Sequence, residues 1–195
     1  MGLEKDQQEA ADACQEWLVN SHETVGGLWA SAGFGKSWLV KHLIEEVVLK
    51  HTNFNPILTS MTHSAVDVLR DLTGKEVSTL HGKMGWVPSV NKETGEEQLL
   101  TPLMRDPNAE DRLKAGDLLV IDEGGMLGHE ETDLVILEAN RVGARILMVG
   151  DDHQCFPVLK DGEELCVPAY DATEVMMTLY TPKRVDENDM IYKLC

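Results

Sequence analysis

The residues best suited to chemistry lie in a glycine-rich stretch, Ala-Ser-Ala-Gly-Phe-Gly-Lys-Ser, at positions 30–37. An apolar run at 25–29 precedes it and predicts a strand, and apolar residues at helical spacing follow over 38–48. This order is the P-loop pattern, in which backbone N–H groups and a helix N-terminus bind phosphate. Lys36 is therefore predicted to neutralise the β- and γ-phosphates of ATP, and the Ser37 hydroxyl to ligate Mg²⁺.

The stretch departs from the P-loop pattern at one position. Ala30 stands where the first glycine is usual, and an alanine fits there only if its backbone has a negative φ. Gly33 and Gly35 keep the inner part of the loop. The predicted nucleotide-binding residues of the loop are Ala32, Gly33, Phe34, Gly35, Lys36 and Ser37. The alternative is an ordinary glycine-rich turn between a strand and a helix.

A second motif lies about 85 residues after the loop. The apolar run at 118–121 predicts a central parallel strand buried on both faces, and Asp122 and Glu123 follow at its carboxyl end. Buried acids are costly unless a metal or a polar partner compensates them. Asp122 is predicted to hold Mg²⁺, directly or through water, and Glu123 to orient and deprotonate the attacking water. The alternative is a strand that ends in acidic turn residues.

Further polar residues follow other predicted strands. Gln154 comes after the strand at 144–149, and its amide is predicted to contact the γ-phosphate or the attacking water. Four residues lie at strand-to-helix junctions: Thr62, His63, Thr79 and His81. In an open α/β sheet these junctions line the carboxyl edge, where ligands bind. For an isolated histidine the alternative is a structural or surface role.

The elements that must position these residues alternate between strand and helix. A helix is predicted over residues 4–19, with Asp6 as its N-cap and Glu9 completing a capping box. A glutamine in its first turn, Gln7 or Gln8, offers an amide donor and acceptor that match an adenine edge. Residues 86–103 predict a β-hairpin that interrupts the alternation. The predicted fold is α/β, with a central, mostly parallel sheet and a small hairpin insertion.

Composition and charge narrow the class of protein. The 195 residues are 43% hydrophobic, and they contain neither an apolar run of about 18 residues nor an N-terminal signal-peptide pattern. The four cysteines form no Cys-x-x-Cys pair, which favours a reducing cytoplasm and argues against a zinc site. The formal net charge of −17 argues against a broad basic face for nucleic acid, so any binding of single-stranded DNA by this chain is predicted to be weak and salt-sensitive. No membrane partner is expected.

Taken in order, the motifs resemble those of the superfamily 1B, RecD-like DNA helicases. The resemblance rests on Ala-Gly-Phe-Gly-Lys-Ser at 32–37, Thr-His-Ser-Ala at 62–65, the segment 72–81, Val-Ile-Asp-Glu at 120–123, Gly-Asp-Asp-His-Gln at 150–154 and the segment 179–184. The resemblance covers almost the whole chain. It implies a RecA-like P-loop NTPase fold and an activity that requires ATP and Mg²⁺.

The resemblance also implies roles for parts of the chain. Residues 1–85 and 104–195 would form the first motor domain, 1A, and 86–103 the small 1B pin. Gln7 would read the adenine, and Arg184 would touch the γ-phosphate. The four junction residues, from Thr62 to His81, would line the path of single-stranded DNA.

Such helicases carry a second RecA-like domain, 2A, which supplies another arginine. The chain is therefore expected to be one half of a motor, completed by further sequence or by a partner protein, and to act in the cytoplasm (the host's, if a phage encodes it).

Two classes of function stay open at this stage. The first is a helicase motor half that hydrolyses ATP slowly alone, because the transition state lacks the second arginine. The second is a non-enzymatic interaction protein whose acidic surface engages a basic partner. Ala30 and the net charge favour the second class. The first is favoured by six intact residues: Lys36, Ser37, Asp122, Glu123, Gln154 and Arg184. A P-loop small-molecule kinase ranks last because no acceptor-site lid is evident.

Overall fold

The computed structural model describes residues 2–92, 94–95, 97–151 and 166–182. Six parallel strands form one sheet in the order β3-β2-β6-β7-β1-β8. Its strands are β1 Val25–Trp29, β2 Asn55–Ser60, β3 Val77–Thr79, β6 Asp117–Asp122, β7 Arg145–Gly150 and β8 Val175–Thr178. A separate antiparallel pair consists of β4 Val87–Val90 and β5 Glu97–Leu100.

Helices connect the strands. They are α1 Lys5–Asn20, α2 Lys36–His42, α3 Leu49–His51, α4 His63–Thr73, α5 Leu80–Met84, α6 Pro102–Arg105, α7 His129–Val142 and α8 Pro168–Asp171. Between α2 and α3 the helix continues as a π-helical segment, Leu43–Val48, and a short 3₁₀ turn, Gly124–Met126, follows β6. The predicted α/β fold with a parallel sheet is confirmed. Within the described ranges, no helix is both long enough and apolar enough to cross a membrane.

The hydrophobic core lies in two layers, one on each face of the sheet. Strand β6 shows why, because alternate side chains of a strand point to opposite faces. Leu118 and Val120 pack into the layer beneath α1 and α2, whereas Leu119 and Ile121 pack into the layer beneath α7 and α8. All four side chains are fully buried, and the burial of each contributes about 1.5–3 kcal/mol to the stability of the fold. Burial on both faces fixes the position of the carboxyl end of β6 in the sheet.

The antiparallel pair β4–β5, called the hairpin below, lies outside this sheet. Its register pairs Val87 with Leu100. Leu99 packs against the α7 layer, and its backbone N–H donates to the Glu130 carboxylate of α7 over 2.7 Å. Trp86, just before the hairpin, is buried and donates its indole N–H to Glu138, also on α7, over 3.3 Å. The hairpin is therefore attached to the domain mainly through α7.

The predicted N-terminal cap of α1 is wrong. The helix begins at Lys5, and Glu4 is its N-cap, with its backbone N–H donating to Gln7 Oε1 over 3.2 Å. Asp6 is buried and accepts instead from the backbone N–H groups of Tyr180, at 2.9 Å, and Thr181, at 2.7 Å. Burial would raise the pKa of the Asp6 carboxyl, but these hydrogen bonds outweigh it and lower the pKa. Asp6 therefore ties α1 to the chain after β8.

Candidate active site

The P-loop connects β1 to α2 with the backbone geometry that its glycines allow. Gly33 and Gly35 have φ of 89° and 86°, in the left-handed region, and Gly35 is the N-cap of α2. Ala30 keeps a negative φ, and its N–H donates to the carbonyl of Gly150 in β7 over 3.1 Å. The alanine therefore fits where the pattern has glycine, because it continues the sheet instead of making the turn.

The Lys36 ammonium forms hydrogen bonds with the backbone of the P-loop itself. It donates to the carbonyl oxygens of Ala30 and Ser31, at 3.1 Å for Ser31. It also lies close enough to Asp122 for its charge to act on that carboxyl. The ammonium is thus held between the P-loop and the acidic end of β6, where an incoming phosphate would take over its hydrogen bonds.

The two acids at the end of β6 differ in their surroundings. Burial raises the pKa of the Asp122 carboxyl, and the nearby Glu123 charge raises it further. The hydrogen bond that the Glu123 N–H donates to Asp122 and the positive charge of Lys36 both act to lower this pKa, but they do not outweigh the increase. Glu123 has φ 58° and ψ 31°, the one positive φ at a non-glycine residue among the described residues. A glutamate costs energy in this conformation, so the surroundings must hold it. Its carboxylate accepts a hydrogen bond from the Thr62 hydroxyl over 2.8 Å.

Lys36, Asp122 and Glu123 share one cleft at the carboxyl edge of the sheet, with a volume of about 650 Å³. The P-loop residues in its lining are Ala32, Gly33, Gly35, Lys36 and Ser37. Asp122 and Glu123 also line the cleft, as do Gly150, at the end of β7, and Asp151 after it. These residues bring together a cation, a hydroxyl and three carboxylates from three separate stretches of sequence.

The residues of the cleft fit a magnesium ion bound together with a phosphate. The described residues include no group of three or more His, Cys, Asp or Glu side chains that could hold a metal alone. Mg²⁺ is commonly bound by one or two protein oxygens, with phosphate and water completing the coordination. The Ser37 hydroxyl and the Asp122 carboxylate supply such oxygens, and a cation would offset the cost of burying Asp122.

Two predicted nucleotide-binding residues lie apart from the cleft. Phe34 packs against the hydrophobic core and is not in the lining. Gln7 is buried in the first turn of α1, where its side-chain oxygen accepts the Glu4 N–H. Its neighbour Gln8 lines an adjacent groove between α1 and α2. Gln154 and Arg184 lie outside the described residues.

The four junction residues lie at the ends of β2 and β3. Thr62 and Thr79 are the N-caps of α4 and α5, accepting from the N–H groups of Ala65 and Gly82. His63 is exposed on the first turn of α4. The His81 ring lies 2.9 Å from the Glu131 carboxylate of α7, which raises the pKa of His81. Their predicted contact with DNA stays a prediction.

Sequence reasoning missed part of the cleft lining. Trp38, directly after Ser37, is 41% exposed, stacks on His42 and lines both the cleft and the adjacent groove. Its position next to the Gly-Lys-Ser motif is a signal that could have identified it. Small and apolar residues of α4 form another wall: Ser64, Ala65, Val68 and Leu72. Their spacing is that of one helical face, which in the sequence alone resembles an ordinary core-facing stripe.

A parallel sheet with a P-loop after β1 and an acid pair at the carboxyl end of β6 defines a P-loop NTPase fold. The chain belongs to the AAA domain family, whose model matches residues 2–189. It is 31% identical over 137 residues to the ATP-dependent DNA helicase dda of Enterobacteria phage T4, a match that covers 70% of this chain and 28% of the relative.

The fold is also similar to that of the Pif1 helicase from Candida albicans, with a TM-score of 0.65 and 21% identity over 99% of this chain and 43% of that structure. The chain thus spans less than half the length of each of these relatives.

Proposed function

We propose that this chain is the ATP-binding motor domain, 1A, of an ATP-dependent DNA helicase that acts in the cytoplasm. The observation that carries the proposal is the single cleft joining Lys36, Ser37, Asp122 and Glu123. The similarity to two helicases supports DNA as the polymer on which the motor acts.

The residues of the cleft are suited to different roles in ATP hydrolysis. The P-loop N–H groups and Lys36 bind the β- and γ-phosphates, and Lys36 exchanges its two carbonyl partners for phosphate oxygens. Ser37 and Asp122 would hold Mg²⁺, which supplies neutralisation of phosphate charge when bound. Glu123 orients a water toward the γ-phosphate and accepts its proton.

The remaining assignments extend the proposal beyond the described cleft. Gln7 contacts the adenine, and Gln154 and Arg184 contact the γ-phosphate. The junction residues Thr62, His63, Thr79 and His81 bind single-stranded DNA, and the hairpin acts as the 1B pin. A second RecA-like domain, on the same or another chain, completes the motor, since both helicase relatives are more than twice as long as this chain.

The test is the steady-state ATPase rate with and without single-stranded DNA, with Lys36→Ala as the blank. A rate above the blank that DNA increases supports the proposal, and added salt should weaken the DNA effect. A rate equal to the blank, together with nucleotide binding that Lys36→Ala leaves unchanged, would contradict it and favour a non-enzymatic interaction protein.

A further inference from the structure

Two arginine side chains converge on Gly85, the residue that ends helix α5. Arg105, in α6, donates from Nη2 to the Gly85 carbonyl oxygen over 2.6 Å. The Arg112 guanidinium packs against the same glycine, since a Cβ placed on Gly85 would lie 3.2 Å from Arg112 Nε and 3.4 Å from Cζ. Gly85 is the C-cap of α5, and the hairpin begins two residues later. The two cations therefore lie together at the base of the hairpin.

Neither of these guanidinium groups forms an ion pair with a residue that the structure describes. The acids next to them in sequence bind other groups: Asp106 accepts from Asn108, and Asp111 pairs with Arg141. The chain has 34 acidic and 17 basic residues, so a shortage of carboxylates does not explain this. Two neighbouring cations without a carboxylate repel each other, and an anion from outside the chain would relieve the repulsion.

The two side chains keep most of their hydrogen-bond donors for a ligand. A guanidinium carries five N–H donors. Arg105 uses Nη2 for Gly85 and Nε for the Thr101 carbonyl at 3.5 Å, whereas Arg112 makes no hydrogen bond to a described residue. Both side chains are exposed, so the remaining donors face solvent. Guanidinium groups match phosphate oxygens in geometry as well as charge, and one phosphate has enough oxygens to accept from both arginines.

The arginine pair lies beside the predicted path of single-stranded DNA. His81, which is predicted to line that path, is in the first turn of α5, and Gly85 follows its last turn. At 1.5 Å per residue these two positions are about 6 Å apart along the helix. The His81 ring also packs edge-on against Trp86, with ring centroids 5.8 Å apart. A strand that passes His81 toward the hairpin therefore comes next to the two arginines.

We propose that Arg105 and Arg112 together bind one backbone phosphate of single-stranded DNA at the base of the hairpin. The inference rests on the proposed function for the identity of the polymer. Both arginines lie outside the helicase-like motifs, between the segments 72–81 and 120–123. The site also explains how a chain of net charge −17 can hold DNA without a broad basic face. Two cations act at contact distance, whereas salt screens acids more than about 10 Å away.

The test is the affinity for a fluorescein-labelled oligothymidylate, measured by anisotropy over a series of KCl concentrations. Arg112→Gln should weaken binding about three- to tenfold at low salt, because it removes charge-assisted hydrogen bonds to an exposed phosphate. Arg112→Lys keeps the charge but not the fork of donors, so its affinity should lie between the two. Since Arg112 makes no hydrogen bond to a described residue, neither variant should change the midpoint of thermal unfolding.

The salt dependence tests whether the two arginines share one phosphate. For single strands, the plot of log affinity against log salt concentration has a slope of about −0.7 for each phosphate neutralised. The double variant Arg105→Gln/Arg112→Gln should therefore lower the magnitude of the slope by about 0.7. Arg70→Gln is the matched control. It removes the same charge from the last turn of α4, where Arg70 donates to the Val77 carbonyl at the start of β3, and should leave the slope unchanged.

The outcomes distinguish the inference from the proposed function. If the chain binds the oligonucleotide and Arg112→Gln binds it as tightly as Arg70→Gln does, the arginine site is overturned and the helicase proposal stands. A fall in slope of about 1.4 in the double variant would mean a separate phosphate at each arginine, which overturns the shared site. If the unsubstituted chain binds no oligonucleotide at any salt concentration, the inference and the DNA-binding part of the proposed function both fail.

Discussion

The cleft at the carboxyl edge of the sheet and the hairpin beside α7 are built in different ways. The cleft depends on strands β1, β6 and β7, whose side chains are buried almost throughout and whose positions are fixed by parallel pairing. The hairpin has two short strands, with Val87 and Val90 exposed, and is attached through the Glu130–Leu99 bond and packing of Leu99. A loss of one side chain therefore has different consequences in the two regions.

In the cleft, the parallel pairing of the strands holds the backbone independently of any one side chain, so a substitution there should change chemistry more than structure. In the hairpin, the Glu130 carboxylate provides a direct hydrogen bond between Leu99 and α7, so its loss should change local stability and leave the chemistry of the cleft intact. Substitutions in the two regions should therefore separate into catalytic and structural effects.

The largest effect is expected from Lys36→Ala. It removes the cation that meets the phosphates, and charge-assisted hydrogen bonds of this kind contribute about 3 kcal/mol, so ATP affinity should fall about 100-fold. Isothermal titration calorimetry measures this. Lys41→Ala, further along α2 and outside the cleft lining, is the matched control and should bind ATP as before. Equal affinity of the two variants would break the assignment of the P-loop.

Glu123→Gln should keep ATP binding and lower turnover about 10²- to 10⁴-fold, because an amide cannot accept the proton of the attacking water. The measurement is the ATPase rate at saturating ATP, with calorimetry for binding. Glu16→Gln, an exposed substitution on α1, is the control for loss of one negative charge. Turnover that survives Glu123→Gln would require another base.

Glu130→Ala should loosen the hairpin without changing the cleft. The bond from the Leu99 N–H to a carboxylate is partly buried, and its loss should speed hydrogen exchange of that amide about tenfold. Asp133→Ala, an exposed acid on the same helix, should not change the exchange rate. A change in ATP affinity of Glu130→Ala would contradict the separation of the two regions.

The smallest effect is expected at the ion pair of His81 and Glu131. The hydrogen bond that His81 donates to Glu131 raises the pKa of His81 above its ordinary 6.5. Its contribution to stability is therefore fully present below pH 6.5 and is lost as the pH rises through the raised value. Burial of Glu131 opposes, but does not cancel, the lowering of its pKa by His81 and by the Gly128 N–H, so its contribution is lost only as the pH falls below its usual 4.5.

His81→Gln should therefore destabilise the protein most between these two pH values, by less than about 1 kcal/mol, because the pair is partly exposed. Thermal melts across pH measure this, and Glu131→Gln should give a similar profile. A constant difference at all pH values would show that the ion pair contributes nothing.

Local patterns were sufficient to predict the cleft but not the contacts that join distant elements. The apolar run of β6 and the glycines of the P-loop are short-range signals, and both predicted the element and its orientation. The neighbours of Asp6 predict a helix cap, whereas it accepts hydrogen bonds from Tyr180 and Thr181, more than 170 residues away. Such long-range pairing of one side chain leaves no periodic trace in the sequence.

The same limit applies to side chains that serve two elements. Thr62 carries the signal of a helix cap, which the structure has, but its bond to Glu123 depends on β2 and β6 being neighbours in the sheet. The π-helical segment Leu43–Val48 also has no distinctive sequence signal, since its apolar residues fit an ordinary helix. The order of motifs was sufficient to predict the position of Thr62 between a strand and a helix. It was not sufficient to predict the side chain that Thr62 contacts.

The position of β1 in the sheet has a consequence for synthesis of the chain on the ribosome. Its two neighbours, β7 and β8, are encoded about 120 and 150 residues after it. At about 5–20 residues per second, β1 waits on the order of ten seconds for its first partner. Through that interval its five buried residues have no sheet to join, and the nascent chain depends on chaperones or on its own partial collapse to keep them from aggregating.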